Sequence, residues 1–449
     1  MSDLLSIGAS GVAAYKTALA AISDNVANSE TPGFARRSTA QQEQNVSVPM
    51  LPTYRSGMVF AGTQITAITR AYDEFRDQEV HAASAEAGSA DARARWMLTA
   101  ENSLDDSDTG VGTRLTAFFN AADTLAADPG NDMSRRAFIS ALDEAAAAFR
   151  TSAQGLATAA AGISKEAQTS VDALNANLTA LGKLNLAILR SENGSAAQAS
   201  LLDQRDKLVD DISSVINVDT TFEADGTVTL KFAGNSDSML LKGVATYPVS
   251  IAQAGNGQLS LYGTLGDGSG AIALPGGALG GLIDVSAVVA DRRATLDGIA
   301  TDFAAAINSW SAAGVDANGA AGQPLLAIGA TGAASLAIAV TDPDAVPAAS
   351  TDGTSNGNLI ALQSLRSGGA EDRMAALVAG HAQATASVRA EADVTATRRD
   401  GALASRDEVT GVDLDREAAE LLRFQQAYNG SARIIQVARE TLQSILDLF

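Results

Sequence analysis

A chain of 449 residues is too long for one hydrophobic core, and at ~150 residues per domain it suggests about three. Its formal net charge of -21 would repel a nucleic-acid backbone or an anionic membrane over most of the surface. The absence of cysteine removes disulfides, thiolate catalysis and thiolate metal sites, while aromatics at 4% beside abundant alanine suit long, closely packed helices.

Leu4 to about Ala27 has helical spacing, with Leu5, Gly8, Val12, Tyr15, Leu19, Ile22 and Val26 recurring every three or four residues. No run reaches the ~18 apolar residues of a membrane span, and no basic lead precedes an unbroken apolar core, so neither an anchor nor a cleaved signal is expected. The stretch Asn28-Ser29-Glu30-Thr31-Pro32-Gly33-Phe34 is a stop. Asn28 tolerates the left-handed conformation that ends helices, Pro32 cannot donate to a ladder, and Gly33 supplies φ > 0. Arg36 and Arg37 stand open between two roles, pairing with carboxylates of a neighbouring subunit or keeping a loop soluble. Ser38 to Ile68, polar and β-branched with Pro49 and Pro52, reads as strands and loops.

Helical spacing returns over Tyr72 to Leu104, Thr113 to Ala127, Met133 to Leu189 and Ser195 to Ile216, a bundle by its pattern. At Val218 the period changes to two, and Thr220 to Phe232 around Asp225-Gly226 reads as a hairpin with a primed turn. Alternation continues to about Pro275. Leu279 to Ala312 is helical, Ala313 to Ala349 is rich in glycine and alanine with a strand at Leu336 to Val340, and helices follow near Asn358 to Arg366 and Asp372 to Ser405.

The last stretch, Gly411 to Phe449, organises the rest. Alternating steps of four and three land on Leu414, Ala418, Leu421, Gln425, Tyr428, Ala432, Ile435, Arg439, Leu442, Leu446 and Phe449, a heptad seam broken only by Gln425 and Arg439. No proline interrupts it, and Asp413 suits a helix N-terminus. A lone seam stays wet, so the N-terminal helix, or copies from other subunits, should cover it. The expected fold is α+β and multidomain, with paired N- and C-terminal coiled-coil helices, a long helical-bundle domain and a small inserted β domain. The expected boundaries are 1–70 for the N-terminal helix and extended segment, and 71–216 for the bundle with 279–312 and 356–405 packed on it. The inserted β domain is 217–278, the irregular segment 313–355 and the C-terminal helix 406–449.

The segment Ser23-Asp24-Asn25-Val26-Ala27-Asn28-Ser29-Glu30-Thr31-Pro32-Gly33-Phe34-Ala35-Arg36 resembles the N-terminal signature of the bacterial flagellar rod and hook family, Glu30 and Phe34 being mild departures. Gly411-Val412-Asp413-Leu414-Asp415, Glu417-Ala418-Ala419 and Leu422-Arg423-Phe424-Gln425-Gln426-Ala427-Tyr428 resemble the C-terminus of its hook-associated members. Leu201-Leu202-Asp203-Gln204-Arg205-Asp206 and Gly277-Ala278-Leu279-Gly280-Gly281-Leu282-Ile283 resemble their interior. The resemblance implies a non-enzymatic axial subunit joining hook to filament, without cofactor or metal, exported uncleaved through the flagellar type III apparatus to an extracellular place on the organelle. The implied partners are further copies of the chain, the hook protein, a second hook-associated junction protein and an export chaperone on the C-terminal helix. The implied assembly residues are Leu5, Val12, Tyr15, Leu19, Ile22, Val26, Leu414, Leu421, Tyr428, Ile435, Leu442, Leu446 and Phe449, with the turn motif Asn25, Asn28, Thr31, Pro32, Gly33 and Phe34. An outermost domain present in longer relatives is expected to be missing from the central insertion. The alternative within the family is a hook or distal-rod protein.

Sharper chemistry has weaker support. Gly353-Thr354-Ser355-Asn356-Gly357 fits a nucleophile elbow with Asp372 and His381 in hydrolase order, which would make a secreted serine hydrolase, but its lead-in is a polar loop and Asn356 and Asn358 read as helix caps. Asp106-Ser107-Asp108-Thr109-Gly110 begins like a calcium loop, yet Gly110 takes a ligand position and no glutamate closes it. Gly276 to Gly281 lacks a phosphate-loop lysine. His81 and His381 fall on different helices and read as surface residues.

Overall fold

The computed structural model describes residues 2–44, 62–104, 107–235, 237–266, 268–273 and 276–447. Its helices are α1 (Ser2–Ala27), α2 (Glu74–Ser103), α3 (Val111–Ala127), α4 (Asp132–Arg190), α5 (Ala196–Val215), α6 (Gly277–Ala312), α7 (Gly357–Leu362), α8 (Ala370–Thr410) and α9 (Leu414–Leu446). With small antiparallel sheets between them, the fold is α+β. The chain forms two compact units, one of Met1–Ser84, Leu174–Pro248 and Thr397–Phe449, the other of Ala85–Ala173 and Val249–Ala396.

In the first unit α1 ends in a turn tied by Thr31 N–H to Asn28 C=O at 2.9 Å and Phe34 N–H to Thr31 C=O at 3.1 Å. Gly33 sits at φ +79°, as its sequence position demands, but no non-glycine among the described residues has positive φ. Asn28 therefore ends the helix differently from expectation: its Nδ2 donates to Asp24 C=O at 2.9 Å, capping the last turn with its side chain. Two strands follow, β1 (Arg37–Glu43) and β2 (Thr63–Arg70), antiparallel with a register shift at Ala40/Gln41. Pro49 and Pro52 lie outside the described residues. Helix α5 begins at Ser195, whose Oγ accepts from Gln198 N–H, while Gln198 Oε1 accepts from Gly194 N–H at 2.8 Å.

The hairpin of β3 (Val218–Phe222) and β4 (Val228–Phe232) has the expected location. Its turn is not a primed one, because Asp225 keeps negative φ. Gly226 N–H closes on Glu223 C=O and Gly226 takes φ +84°, a type I turn followed by a left-handed glycine, held by Asp225 Oδ1 accepting from Thr227 N–H at 3.0 Å. Strands β5 (Leu241–Lys242) and β6 (Ala245–Thr246) complete a four-stranded sheet. Fully buried Asn185 joins α4 to it, donating to Val228 C=O and Gly243 C=O and accepting from Val228 N–H.

The second unit holds the aromatic core. Phe118 packs on Phe119, Phe138 and Phe303 with ring centroids 5.0–6.0 Å apart, and Phe138 reaches Trp310. Edge-to-face packing of this kind concentrates the few aromatics where large buried area is needed. Within the Gly277 to Ile283 motif at the start of α6, Gly281 has no room for a larger residue: a Cβ there would lie 2.2 Å from the Ser89 carbonyl oxygen. A three-stranded sheet, β7 (Ser250–Gln253), β8 (Leu259–Leu265) and β9 (Gly268–Ile272), buries Leu259, Leu261 and Ile272. The stretch read as one inserted β domain thus carries two sheets, one in each unit.

Smaller corrections fall here too. The strand expected at Leu336 to Val340 is only Ala337–Ile338, paired with Leu326–Ala327. Asn356 stands at the start of α7 without a side-chain cap bond and donates instead to Ala126 C=O, while Asn358 is buried and donates to the Pro347 and Trp310 carbonyls. Both histidines are buried, at 5% and 0% exposure, because each has a partner inside: His81 the Asp210 carboxylate, His381 the Met97 carbonyl. Contrary to the expectation for apolar runs, Leu4–Ala27 is long and apolar enough by length and composition to cross a membrane; about a third of it is buried within the fold.

Candidate functional site where the two ends meet

Helices α1 and α9 pack along each other within the first unit. The α1 side of the contact is a line of small residues, buried Gly8, Gly11, Ala14, Ala18 and Ala21. They let the backbones approach closely: a Cβ on Gly8 would lie 2.7 Å from Ile435 Cγ1, and one on Gly11 would lie 2.6 Å from Ser431 Oγ. Tyr15 and Phe424 meet with ring centroids 6.1 Å apart. On α9 a stripe of shielded residues, Glu417, Leu421, Phe424, Tyr428, Ser431, Ile435, Ala438 and Leu442, is spaced alternately by four and three, with Glu420, Ala427 and Ala432 half-buried at its sides.

Of the expected seam, Leu421, Tyr428, Ala432, Ile435 and Leu442 are half-buried. Elsewhere the stripe is rotated by one residue: Ala418, Gln425 and Arg439 face solvent, and Glu417, Phe424 and Ala438 take the inside, as does Ser431 beside half-buried Ala432. The α1 surface opposite offers glycine and alanine, which leave room for Ser431 and Ile435 at close range, and Tyr15, which meets Phe424. Leu414 and Leu446 are exposed at 51% and 67%, and Phe449 lies outside the described residues. On α1, Ile22 is buried, Leu5, Val12, Tyr15 and Leu19 are half-buried, and Val26 is exposed.

At the base of this pair the turn motif makes one tightly bonded node. Asn25, 1% exposed, pairs with the backbone of Arg37 as a strand would: its Nδ2 donates to Arg37 C=O and its Oδ1 accepts from Arg37 N–H, each at 2.8 Å. The same Nδ2 donates to Glu417 Oε2 at 3.0 Å, joining residues 392 positions apart. Asp413 caps α9, accepting from the N–H groups of Asp415 and Arg416, and Arg36 N–H donates to Thr410 C=O at 2.8 Å. Pro32 and Thr31 stay exposed, with half-buried Phe34 under the Arg37 guanidinium at 4.8 Å.

Arg36 and Arg37 both pair with carboxylates of their own chain. Arg36 approaches Glu417 at 3.9 Å. Arg37 starts an alternating run of charges, bonded to Asp24 and, at 2.9 Å, to Asp203; Arg70 joins Asp203 to Asp206 at 2.7 Å each, and Arg205 closes on Asp206 at 2.6 Å. Three positive and three negative groups neutralise one another in a half-buried setting, where an unpaired charge would be costly. The Leu201 to Asp206 motif thus supplies the carboxylates for the arginines that flank the hairpin of β1 and β2.

A second cluster lies beside it. Arg406 Nη1 bonds both Asp210 oxygens at 2.9 and 3.0 Å and nears Asp77 at 3.4 Å, while His81 Nε2 meets Asp210 at 3.1 Å. Burial pushes the Asp77 carboxyl up, with Asp206 adding to it. Burial also works against ionised Asp210, but the His81 hydrogen bond and the Arg406 charge outweigh it and hold that carboxyl below the usual range. Among the described residues no three His, Asp or Glu side chains are grouped to hold a metal ion. Asp106 of the calcium-like loop lies outside them.

Ser355, Asp372 and His381 form no catalytic arrangement. Ser355 is exposed in a turn, preceded by a strand of only Ala349–Ser350; Asp372 accepts from Gly368 N–H at 2.7 Å; and His381 is sealed against Met97. The elbow geometry needs a serine presented between strand and helix with its histidine in reach.

Comparison with known proteins follows the same division of the chain. The ends match two families, the flagella basal body rod protein over residues 5–34 and the flagellar basal body rod FlgEFG protein C-terminal region over residues 401–448. The two terminal helices are thus similar to those of flagellar rod proteins. Between the ends, residues 97–326, just over half the chain, match the flagellar hook-associated protein FlgK helical domain, and the chain belongs to this FlgK family. It is 27% identical over 337 residues to flagellar hook-associated protein 1 of Escherichia coli and 26% over 338 residues to that of Salmonella typhimurium, in each case 73% of this chain and 60% of the relative. The chain therefore spans about three-fifths of the length of these relatives. Flagellar hook-associated protein 1 of Bacillus subtilis is 25% identical over 97% of this chain and 96% of its own. The flagellar hook junction protein FlgK from Burkholderia pseudomallei aligns with TM-score 0.49 and 23% identity, over 56% of this chain and 47% of its own.

Sequence reasoning reached Asn25, Gly33 and Glu417 through the motifs but missed Gly11, Ala14, Ala18, Ala21, Ser431 and Ala438. The available signal was a period-three-and-four run of glycine and alanine in α1, which an apolar-residue count passes over.

Proposed function

We propose that this chain is a structural subunit of the bacterial flagellum at the junction of hook and filament, self-assembling through its terminal helices after type III export. The observation that carries the reading is the node itself: three separate sequence segments with family motifs, around Asn25, Asp203 and Glu417, close on one another at the foot of the α1 and α9 pair. The outer side of that pair keeps apolar residues in water, among them Leu4, Val26, Leu414, Leu422, Val437 and Leu446. Burying each is worth roughly 1.5 to 3 kcal/mol before entropy is counted. A coiled-coil arrangement with neighbouring copies would supply that burial. In this reading residues 1–70 and 406–449 are the axial element, the segments between them form the outward domains, and the hook protein and a second hook-associated protein are the neighbours. An export chaperone holds the C-terminal helix before delivery.

The match of residues 401–448 to rod FlgEFG proteins favours one rival, a hook or distal-rod subunit. Both readings are separated by deleting Gln426–Phe449 and labelling the protein with antibody on isolated hook-basal bodies. The junction reading expects label at the distal end of the hook, and hooks without filaments in the deletion strain. Label along the hook or rod, or normal motility with the deletion, would overturn it.

A further inference from the structure

The proposal that copies assemble through their ends leaves open which surfaces touch, and charge on the first unit narrows the choice. From Leu421 to Arg439 the chain carries Arg423, Arg433 and Arg439 and no acidic residue, within a protein of net charge -21. All three arginines are exposed and make no ion pair among the described residues. At 100° per residue, Leu422, Gln426, Arg433 and Val437 fall within about 60° of one another on α9, with Arg423 and Ile434 beside them. This face points away from the shielded stripe. Leu422 and Val437 are 60% and 58% exposed, so the face combines cations with apolar side chains; Glu440 ends it one turn further on.

The complementary surface lies just ahead of the N-terminus of the same helix. An open groove of about 520 Å³ runs between the turn motif and the end of α8, lined by Pro32, Phe34 and Val412 together with Glu30, Asp407 and Glu408. The three acids are exposed and take part in no ion pair among the described residues. Cation and apolar on α9 thus meet acid and apolar in the groove. Within one copy Arg433 and Val437 stay away from the groove, because α9 is a single helix starting at Leu414 and Arg433 lies about 30 Å along it at roughly 1.5 Å per residue.

We propose that the Leu422, Arg433 and Val437 face of α9 docks into the Glu30, Asp407 and Glu408 groove of a second copy. Because the two surfaces differ, each copy offers both halves of the contact, and docking in one direction repeats it head-to-tail into a ring or a filament. The inference rests on the self-assembly reading above and adds its polarity and residues.

Two charge-reversed full-length proteins test it, Arg423→Glu with Arg433→Glu, and Asp407→Lys with Glu408→Lys. All four positions are exposed, and circular dichroism confirms the fold of each variant. By sedimentation at low salt, each variant alone should associate about tenfold or more weakly than the parent, since like charges then face each other. An equal mixture should recover association, because each protein keeps one native surface and one reversed partner for the other. Association of the parent should weaken between about 0.05 and 0.5 M salt. Parent association that is indifferent to the reversals, or a mixture that stays apart, would overturn the docking alone. A parent that stays monomeric at every concentration, by itself and when seeded with isolated hooks, would overturn the self-assembly reading and the docking with it.

Discussion

Asn25→Ala is the most informative single change, because one side chain ties three segments. It removes two bonds to the Arg37 backbone at 2.8 Å and one to Glu417 at 3.0 Å, at a site where both Asn25 and Glu417 are 1% exposed. At about 1 kcal/mol net for each bond the loss is about 3 kcal/mol, rising to about 6 if the three abandoned groups stay dry. Measured as local opening by hydrogen exchange with mass spectrometry, 3 kcal/mol corresponds to roughly a hundredfold faster exchange. The affected peptides should be those covering Ala21 to Ala40 and Gly411 to Phe424. Asn28→Ala is the control: its Nδ2 bonds stay within its own turn, to Asp24, so faster exchange should be confined there. Changes below about threefold at both peptides in Asn25→Ala would show that the node does not hold the ends together.

Three further changes probe other parts of the argument. Gly8→Val forces a side chain into Ile435 and should lower the thermal midpoint and separate α1 from α9, whereas Gly430→Ala, with nothing within 4 Å of the new Cβ, should stabilise α9 by about 0.5–1 kcal/mol in the same melts. Asp203→Ala strips a shared carboxylate from Arg37 and Arg70 and should cost about 3 kcal/mol or more in urea denaturation, against less than about 0.5 for exposed Asp211→Ala, whose partner Lys207 is also exposed. Burial, reinforced by the nearby Arg292 charge and opposed by the Met97 carbonyl and Glu101, holds His381 below its ordinary 6.5. As pH falls below that value the unfolded chain gains a proton that the folded one does not. The second unit should therefore lose stability with acid, by at most about 1.4 kcal/mol per pH unit from this group, and His381→Leu should flatten that slope when unfolding is followed by fluorescence of Trp96 and Trp310.

What was legible in the sequence was what repeats locally. The stop at Gly33 follows from the chemistry of one residue, the start of α9 beside Asp413 from its charge at a helix N-terminus, and the long helices from spacing. The primed turn at Asp225-Gly226 was misread because the loop held one residue more than the dipeptide rule assumes, and the side chain of Asp225 bonded Thr227 instead. Asn358 looked like a cap for the same reason that it proved to be a buried tie: its amide will bond any nearby backbone group, and only packing brings Trp310 and Pro347 within reach.

By itself the sequence determined that α9 carries a heptad stripe needing cover, that α1 could supply it, and which motifs mark the two ends. Which of two stripes one residue apart faces inward was decided by tertiary structure, because the answer depends on the shape opposite: Gly8 and Gly11 leave room for Ser431 and Ile435 that no count of apolar residues along α9 contains. The same holds for Arg37, Asp203 and Glu417. Charge pairing acts over a few ångströms in space, and the chain places those residues hundreds of positions apart until it folds.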